Sequence, residues 1–187
     1  MLSPLRTFLL AGLLLAAIPA LAADYVQAAG STLGFSGTLE GERFEGRFPG
    51  FNTRLQFDPA RLEQARLDVT IPLATASTSN ADYDGELRGA AFFDSAKFPQ
   101  ATYTATRFRA LGGNRYAADG TLSLRGASKP VTLEFTWTSG ARPLLVGKAT
   151  VKRLDFGVGG GMLPNGAGTV LRRRFGDCRC LAYEQFS

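Results

Sequence analysis

The chain contains no histidine and only two cysteines, Cys178 and Cys180, both close to its C-terminal end. The absence of histidine removes the usual general base, the Ser-His and Cys-His nucleophile pairs and the commonest metal ligand. Two cysteines cannot assemble a thiolate zinc site or an iron–sulfur cluster. Clustered positive charge is also missing. The formal net charge is +5, but Arg6 supplies one unit of it. Arg172, Arg173, Arg174 and Arg179, set against Asp177 and Glu184, supply two more. The remainder is spread over residues 23–161 with both signs interspersed, so no nucleic-acid surface is expected. After residue 22 no apolar run is long enough to cross a bilayer as a helix.

The first 22 residues stand apart. Arg6 precedes an apolar run from Phe8 to Ile18, which is shorter than a membrane span, and Ala20-Leu21-Ala22 has the small-residue spacing of a signal-peptidase site. Residues 1–22 are read as a cleaved export signal, residues 23–161 as one domain and residues 162–187 as an atypical tail. The expected location is the periplasm or the exterior. A Cys-x-Cys bridge between Cys178 and Cys180 would be strained, so an intermolecular disulfide or a free thiol pair stands equally with it.

What fills residues 23–161 is short alternation. Leu67, Val69, Ile71 and Leu73 share one parity; so do Val131, Leu133, Phe135 and Trp137, and Leu145, Gly147, Ala149 and Val151. Residues two apart lie on one face of a strand, so each run has an apolar and a wet side, the signature of an antiparallel sheet buried on one face. Runs near 31–39, 43–50, 52–57, 65–73, 100–110, 115–124, 129–138 and 144–153 are separated by turn sequences such as Asp58-Pro59 and Gly112-Gly113-Asn114. One segment departs from this period. Asn80 to Phe93 has Tyr83, Leu87, Ala90 and Ala91 at helical spacing, which predicts a short helix near residues 80–91. About eight strands suit either a barrel or a sandwich.

Four blocks resolve the choice by likeness. They are Ser31-Thr32-Leu33-Gly34-Phe35 with Phe44-Glu45-Gly46-Arg47-Phe48; Asp84 to Asp94 with Phe98-Pro99; Gly120 to Val131; and Arg153-Leu154-Asp155-Phe156-Gly157. In this order and spacing the chain resembles the YceI-like family, secreted bacterial proteins also described as polyisoprenoid-binding. The resemblance implies an all-β, antiparallel, lipocalin-like barrel with a hydrophobic tunnel for an isoprenoid chain, such as a quinone or polyprenyl tail. It departs from the family at Tyr83, where an arginine is usual, which puts a charged contact there in question. The family also ends in a final alternating strand, and none is evident after Gly161. The tail is therefore expected to have diverged or to be read from a shifted frame, leaving an open barrel edge.

The implied tunnel wall is Phe35, Phe48, Val69, Tyr103, Leu122, Leu133, Phe135 and Trp137, with Phe92 and Phe93 at a mouth or lid. Small residues on the same parity (Gly37, Gly46, Ala105, Gly147, Ala149) are expected to leave room for a ligand. Asp84 and Arg153 are the polar mouth candidates, although Arg153 and Asp155 are assigned to the wet face. The expected activity is binding, with no catalytic residue, metal or cofactor, and with an isoprenoid lipid or quinone as partner. Transient contact with a membrane surface through Arg172-Arg173-Arg174 is a further possibility, and the oligomeric state is open. Such a site should discriminate chain length well and head groups poorly. Two other readings are a filled barrel acting on a partner through its surface, and a hydrolase using Asp82, Asp84 and Glu86. If residues 1–22 are an export signal, N-terminal sequencing of the protein from a cell envelope fraction should begin near Ala23; an intact Met1 in that fraction would refute the cleavage.

Overall fold

A computed structural model describes residues 23–39, 42–160 and 170–182; the expected export signal lies outside the described residues. The alternating runs become strands because each buries one face, and the strands roll into a ring. The strands are β1 (Ala23–Gln27), β2 (Gly34–Leu39), β3 (Glu42–Arg47), β4 (Asn52–Phe57), β5 (Arg66–Pro72), β6 (Gln100–Gly112), β7 (Arg115–Leu124), β8 (Ala127–Thr138), β9 (Leu144–Lys152) and β10 (Val170–Ala182). Eight of them close in the order β1-β10-β9-β8-β7-β6-β5-β4, every pairing antiparallel, and β1 returns to β4 to complete the ring. Apart from the β2–β3 hairpin, ring neighbours are neighbours in sequence, which makes an up-and-down, lipocalin-like barrel.

The number of barrel strands matches the sequence expectation, but two members differ. The runs near 31–39 and 43–50 pair with each other and with no barrel strand, as a hairpin outside the ring that lies against β10. Their places are taken by β1 and β10. The expectation of a missing last strand and an open edge is thereby overturned. β10 runs against β9 from Val170 opposite Lys152 to Arg179 opposite Leu144, and against β1 through Tyr25 opposite Ala182. The strand escaped a period-2 reading because its register shifts between Phe175 and Cys178, so the parity changes midway. The backbone groups of β1 and β9 need partners whatever side chains the partner strand carries. The side chains of Arg172, Arg173, Arg174, Cys178 and Cys180 lie outside those described.

The helix α1 (Ala81–Arg88) falls within the expected interval. Asn80 caps it, its side-chain oxygen accepting the N–H groups of Asp82 and Tyr83 at 3.0 and 3.4 Å. Asp82 and Asp84 sit in the first turn and Arg88 in the last, matching the helix dipole. Tyr83 is exposed.

Inside the ring, the inward rows are Leu55 and Phe57 on β4, Leu67, Val69 and Ile71 on β5, Leu133, Phe135 and Trp137 on β8, and Leu145, Ala149 and Val151 on β9. On β6 the row runs Ala101, Tyr103, Ala105 and then Phe108, because a bulge between Ala105 and Arg107 shifts the parity by one. The outer face carries a compact ionic knot. Asp119 on β7 receives Arg109 Nε and Nη2 at 2.8 and 3.1 Å and the Thr132 hydroxyl at 2.7 Å. These hydrogen bonds, Arg109's foremost, hold the Asp119 carboxyl down to about 2. A lowered folded-state value means that this contribution to stability is present above the ordinary value of 3.8 and is lost as pH falls towards 2. Chemical denaturation of wild type and Asp119→Asn should therefore show a gap in midpoint near neutrality that narrows between about pH 4 and pH 2. A gap independent of pH would contradict the ionic origin.

Candidate functional site

Aromatic side chains gather at both ends of the barrel, but from different sources. At one end Phe57 is the hub, with ring centroids 5.1 Å from Tyr116, 5.5 Å from Phe135, 5.1 Å from Trp137 and 5.8 Å from Phe108. Tyr25 closes on Trp137 at 5.0 Å. Every one of these rings stands on a barrel strand. At the other end Phe35, Phe48 and Phe93 pack in tilted and edge-to-face pairs, with ring centroids 4.9 Å apart for Phe35–Phe48, 5.6 Å for Phe48–Phe93 and 6.2 Å for Phe35–Phe93. Phe35 comes from the hairpin strand β2, Phe48 from the segment after β3, and Phe93 from the loop after α1. None of the three belongs to the ring. Together with Leu73, Leu122, Leu124 and Val151 they line a small hollow with room for about one water molecule.

The tunnel candidates divide accordingly. Phe35, Phe48, Phe93 and Leu122 surround the hollow. Val69, Tyr103 and Leu133 are buried deeper in the barrel, while Phe135 and Trp137 belong to the cluster at the far end. Phe92 is half-buried against the core. Leu73, Leu124 and Val151 were not singled out from the sequence. Leu73 follows Pro72 in a turn of 3-10 helix, while Leu124 and Val151 lie in alternating runs that did not distinguish lining from packing.

The space expected from small residues is already occupied. A methyl group on Gly46 would collide with the ring of Phe35. One on Gly147 would stand 2.8 Å from Phe135 Cβ and 3.1 Å from Leu133 Cδ1. At Gly120 it would lie 2.5 Å from the Thr104 carbonyl oxygen and 2.7 Å from the Tyr103 ring. Tyr103 crosses over Gly120 so that its hydroxyl donates to the Ala118 carbonyl at 2.8 Å, with the Val131 carbonyl at 3.1 Å. Glycine here lets a neighbouring ring lie flat on the backbone, as cross-strand aromatics do elsewhere in curved sheets. Small residues thus admit the protein's own rings to the interior.

The polar candidates have unequal roles. Asp84 is buried at 8% exposure and accepts the N–H and hydroxyl of Thr78, the latter at 2.8 Å, with Arg88 Nη2 at 3.8 Å. The Thr78 N–H, foremost, keeps its carboxyl below the usual range against the opposing effect of burial. Asp84 therefore fastens the turn before α1. Asp82 and Glu86 are exposed on the helix, so these three carboxylates do not converge on a common point. Among the described residues no group of three His, Cys, Asp or Glu side chains could hold a metal ion.

Arg153 is on the opposite face from the one expected. It is 7% exposed, and its Nη1 donates to the Val158 carbonyl at 2.7 Å. The reason is parity: Arg153 continues the inward row Leu145, Gly147, Ala149, Val151 one step past the end of β9. Asp155, by contrast, is exposed. Arg125, unassigned in the sequence, donates to the carbonyls of Gly157 and Ala90, the latter at 2.5 Å, and so joins the loop after α1 to the turn after β9.

A closed up-and-down barrel with an apolar interior and, at one end, an aromatic stopper supplied from outside the ring is a lipocalin-like architecture. Comparison with known proteins defines the group within it. A family model described as the YceI-like domain matches residues 25–173, reaching into β10, and the chain belongs to that family. The UPF0312 protein of Shewanella baltica strain OS185 is 30% identical over 82% of this chain and 86% of its own length. That of Shewanella denitrificans is 32% identical over 73% and 78%. Among solved structures, Burkholderia cenocepacia BcnA superposes with a TM-score of 0.72 at 28% identity, covering 80% of this chain and 96% of BcnA. A polyisoprenoid binding domain from Saccharophagus degradans shares the fold, with a TM-score of 0.61 at 17% identity over 83% and 96%.

Phe93 contacts two other rings of the stopper and is 4% exposed. Truncation by Phe93→Ala should cost about 3 kcal/mol, read as a shift in denaturation midpoint with unchanged slope. A cost below about 1 kcal/mol would mean that the stopper is loose already.

Proposed function

We propose that this protein is an exported carrier that binds an isoprenoid lipid, a quinone or polyprenyl chain, inside the barrel after the stopper of Phe35, Phe48 and Phe93 withdraws. One observation carries this reading: the rings that fill the hollow's end are supplied by segments outside the hydrogen-bonded ring. The hairpin is tied to the neighbouring segment by a short bridge, Arg47 N–H to Ser77 O at 2.8 Å and its reciprocal at 3.0 Å. Withdrawal breaks a few such bonds and leaves all eight barrel ladders intact. Membership of the YceI-like family and the ligand class named for the Saccharophagus degradans neighbour support the choice of lipid.

The magnitudes set a threshold. Exposing three phenylalanine rings costs about 5–9 kcal/mol, and association costs several more. Each buried five-carbon unit returns roughly 3 kcal/mol. Two or three units therefore fail to displace the stopper, and affinity rises steeply beyond about four. The water-sized hollow favours a second reading, a filled barrel that acts through its surface on a partner. Organic extraction of the purified protein, followed by mass spectrometry, separates the two, since only a carrier returns a prenyl lipid. In a series from geraniol to octaprenol, native mass spectrometry should show no complex with the shortest chains and increasing occupancy with the longer. Occupancy independent of length would refute partition into the barrel.

A further inference from the structure

The stopper is built from two units that meet at one carboxylate. Phe35 and Phe48 belong to the hairpin and the segment that leaves it, and Phe93 to the loop after α1. That loop is bound to its own helix: the Phe93 N–H donates to the Leu87 carbonyl at 2.9 Å and the Ser95 N–H to the Arg88 carbonyl at 3.0 Å. The hairpin is bound instead to Ser77, through the two backbone bonds with Arg47. Asp84, buried on α1, reaches back to the residue after Ser77 and accepts both the N–H and the hydroxyl of Thr78. The Ser77 hydroxyl is also among the groups that hold its carboxyl below the usual range. Polar contact thus runs from Arg47 through Ser77 and Thr78 to Asp84, and from there along α1 to Phe93.

The turn that carries this contact depends on it. Ser79 has φ +69, a left-handed conformation that is unfavourable for a residue with a side chain. It is held there from both sides, by the bonds of Thr78 to Asp84 and by the Asn80 cap on α1. Burial keeps water from competing for the carboxylate, and its bonds to Thr78 are of the charge-assisted kind. We propose that Asp84 is the latch of the stopper: it locks the hairpin to α1, so that Phe35, Phe48 and Phe93 withdraw together, and thereby sets how readily the barrel admits a ligand. This rests on the lipid-carrier reading and deepens it, by naming the residue that regulates entry. Opening then breaks the latch bonds as well as exposing three rings. The apparent affinity for an interior ligand is reduced in proportion to the fraction of molecules that are open, so weakening the latch tightens binding.

Two measurements on the purified protein test the latch: hydrogen exchange without ligand, and hexaprenol binding. In wild type the amides of Arg47, Ser77 and Phe93 should exchange with one common opening free energy. In Asp84→Asn those of Arg47 and Ser77 should exchange about fivefold faster and part from Phe93, with the β6–β7 ladder unchanged. Hexaprenol should associate faster with this variant and bind it about fivefold more tightly, whereas a merely structural defect would weaken binding. If Asp84→Asn does not fold, Thr78→Val removes the hydroxyl alone and should shift both readouts in the same direction by less. Unchanged exchange at Arg47 and Ser77 in the variant, or separate opening of the three amides in wild type, would overturn the latch while the carrier reading stands. Equal or weaker hexaprenol binding by Asp84→Asn would overturn it as well. Failure of wild type to take up hexaprenol would refute the carrier reading itself, and this inference with it.

Discussion

The structure depends on the closure of the ring through β1. This strand has only five residues, yet it pairs on one side with β4 and on the other with β10. Without it, β4 and β10 would each present a row of unpaired N–H and carbonyl groups, which in an apolar-cored sheet invites association with other chains. With it, every barrel strand has two neighbours. The pairing is independent of side-chain identity, and for that reason a strand as short as β1 and one as irregular as β10 can complete an otherwise regular barrel.

Closure has a consequence for the segments left over. Because the eight ladders satisfy one another, the β2–β3 hairpin and the loop after α1 are free to serve as inserts. Their phenylalanines occupy the barrel end that strands alone leave uncovered. The opposite end is closed by rings from β1, β4, β6, β7 and β8, which cannot move without straining the ladders that hold them. The barrel therefore has one fixed end and one end whose filling is attached from outside. This asymmetry gives a direction to any ligand path.

Much of this was legible in the sequence. Alternation located all eight runs seen as β2 to β9, and Asn80 marked the start of α1. What alternation could not supply was ring membership. Leu33, Phe35 and Phe48 alternate as barrel strands do because their faces are buried, but Phe35 and Phe48 are buried against each other and Phe93, outside the ring. β1 was too short to show a period, and β10 changes parity at its bulge. Arg153 was misplaced because a charged residue was taken for a wet one, whereas its parity with Val151 already set it inside. Polarity argues for exposure only when the strand's geometry leaves a choice.

The glycines illustrate the same limit at the level of packing. Gly46 and Gly147 read from the sequence as missing volume, and Gly120 has the same lack of a side chain. In the fold each lies beneath a neighbouring side chain that is there because the Cβ is absent. A barrel interior approaches the density of an organic crystal, so a missing methyl on one strand is taken up by a larger ring on the next. Volume for a ligand consequently has to come from movement of a whole side chain. The side chains supplied from outside the hydrogen-bonded ring are Phe35, Phe48 and Phe93, so theirs are the positions that can change without breaking a barrel ladder.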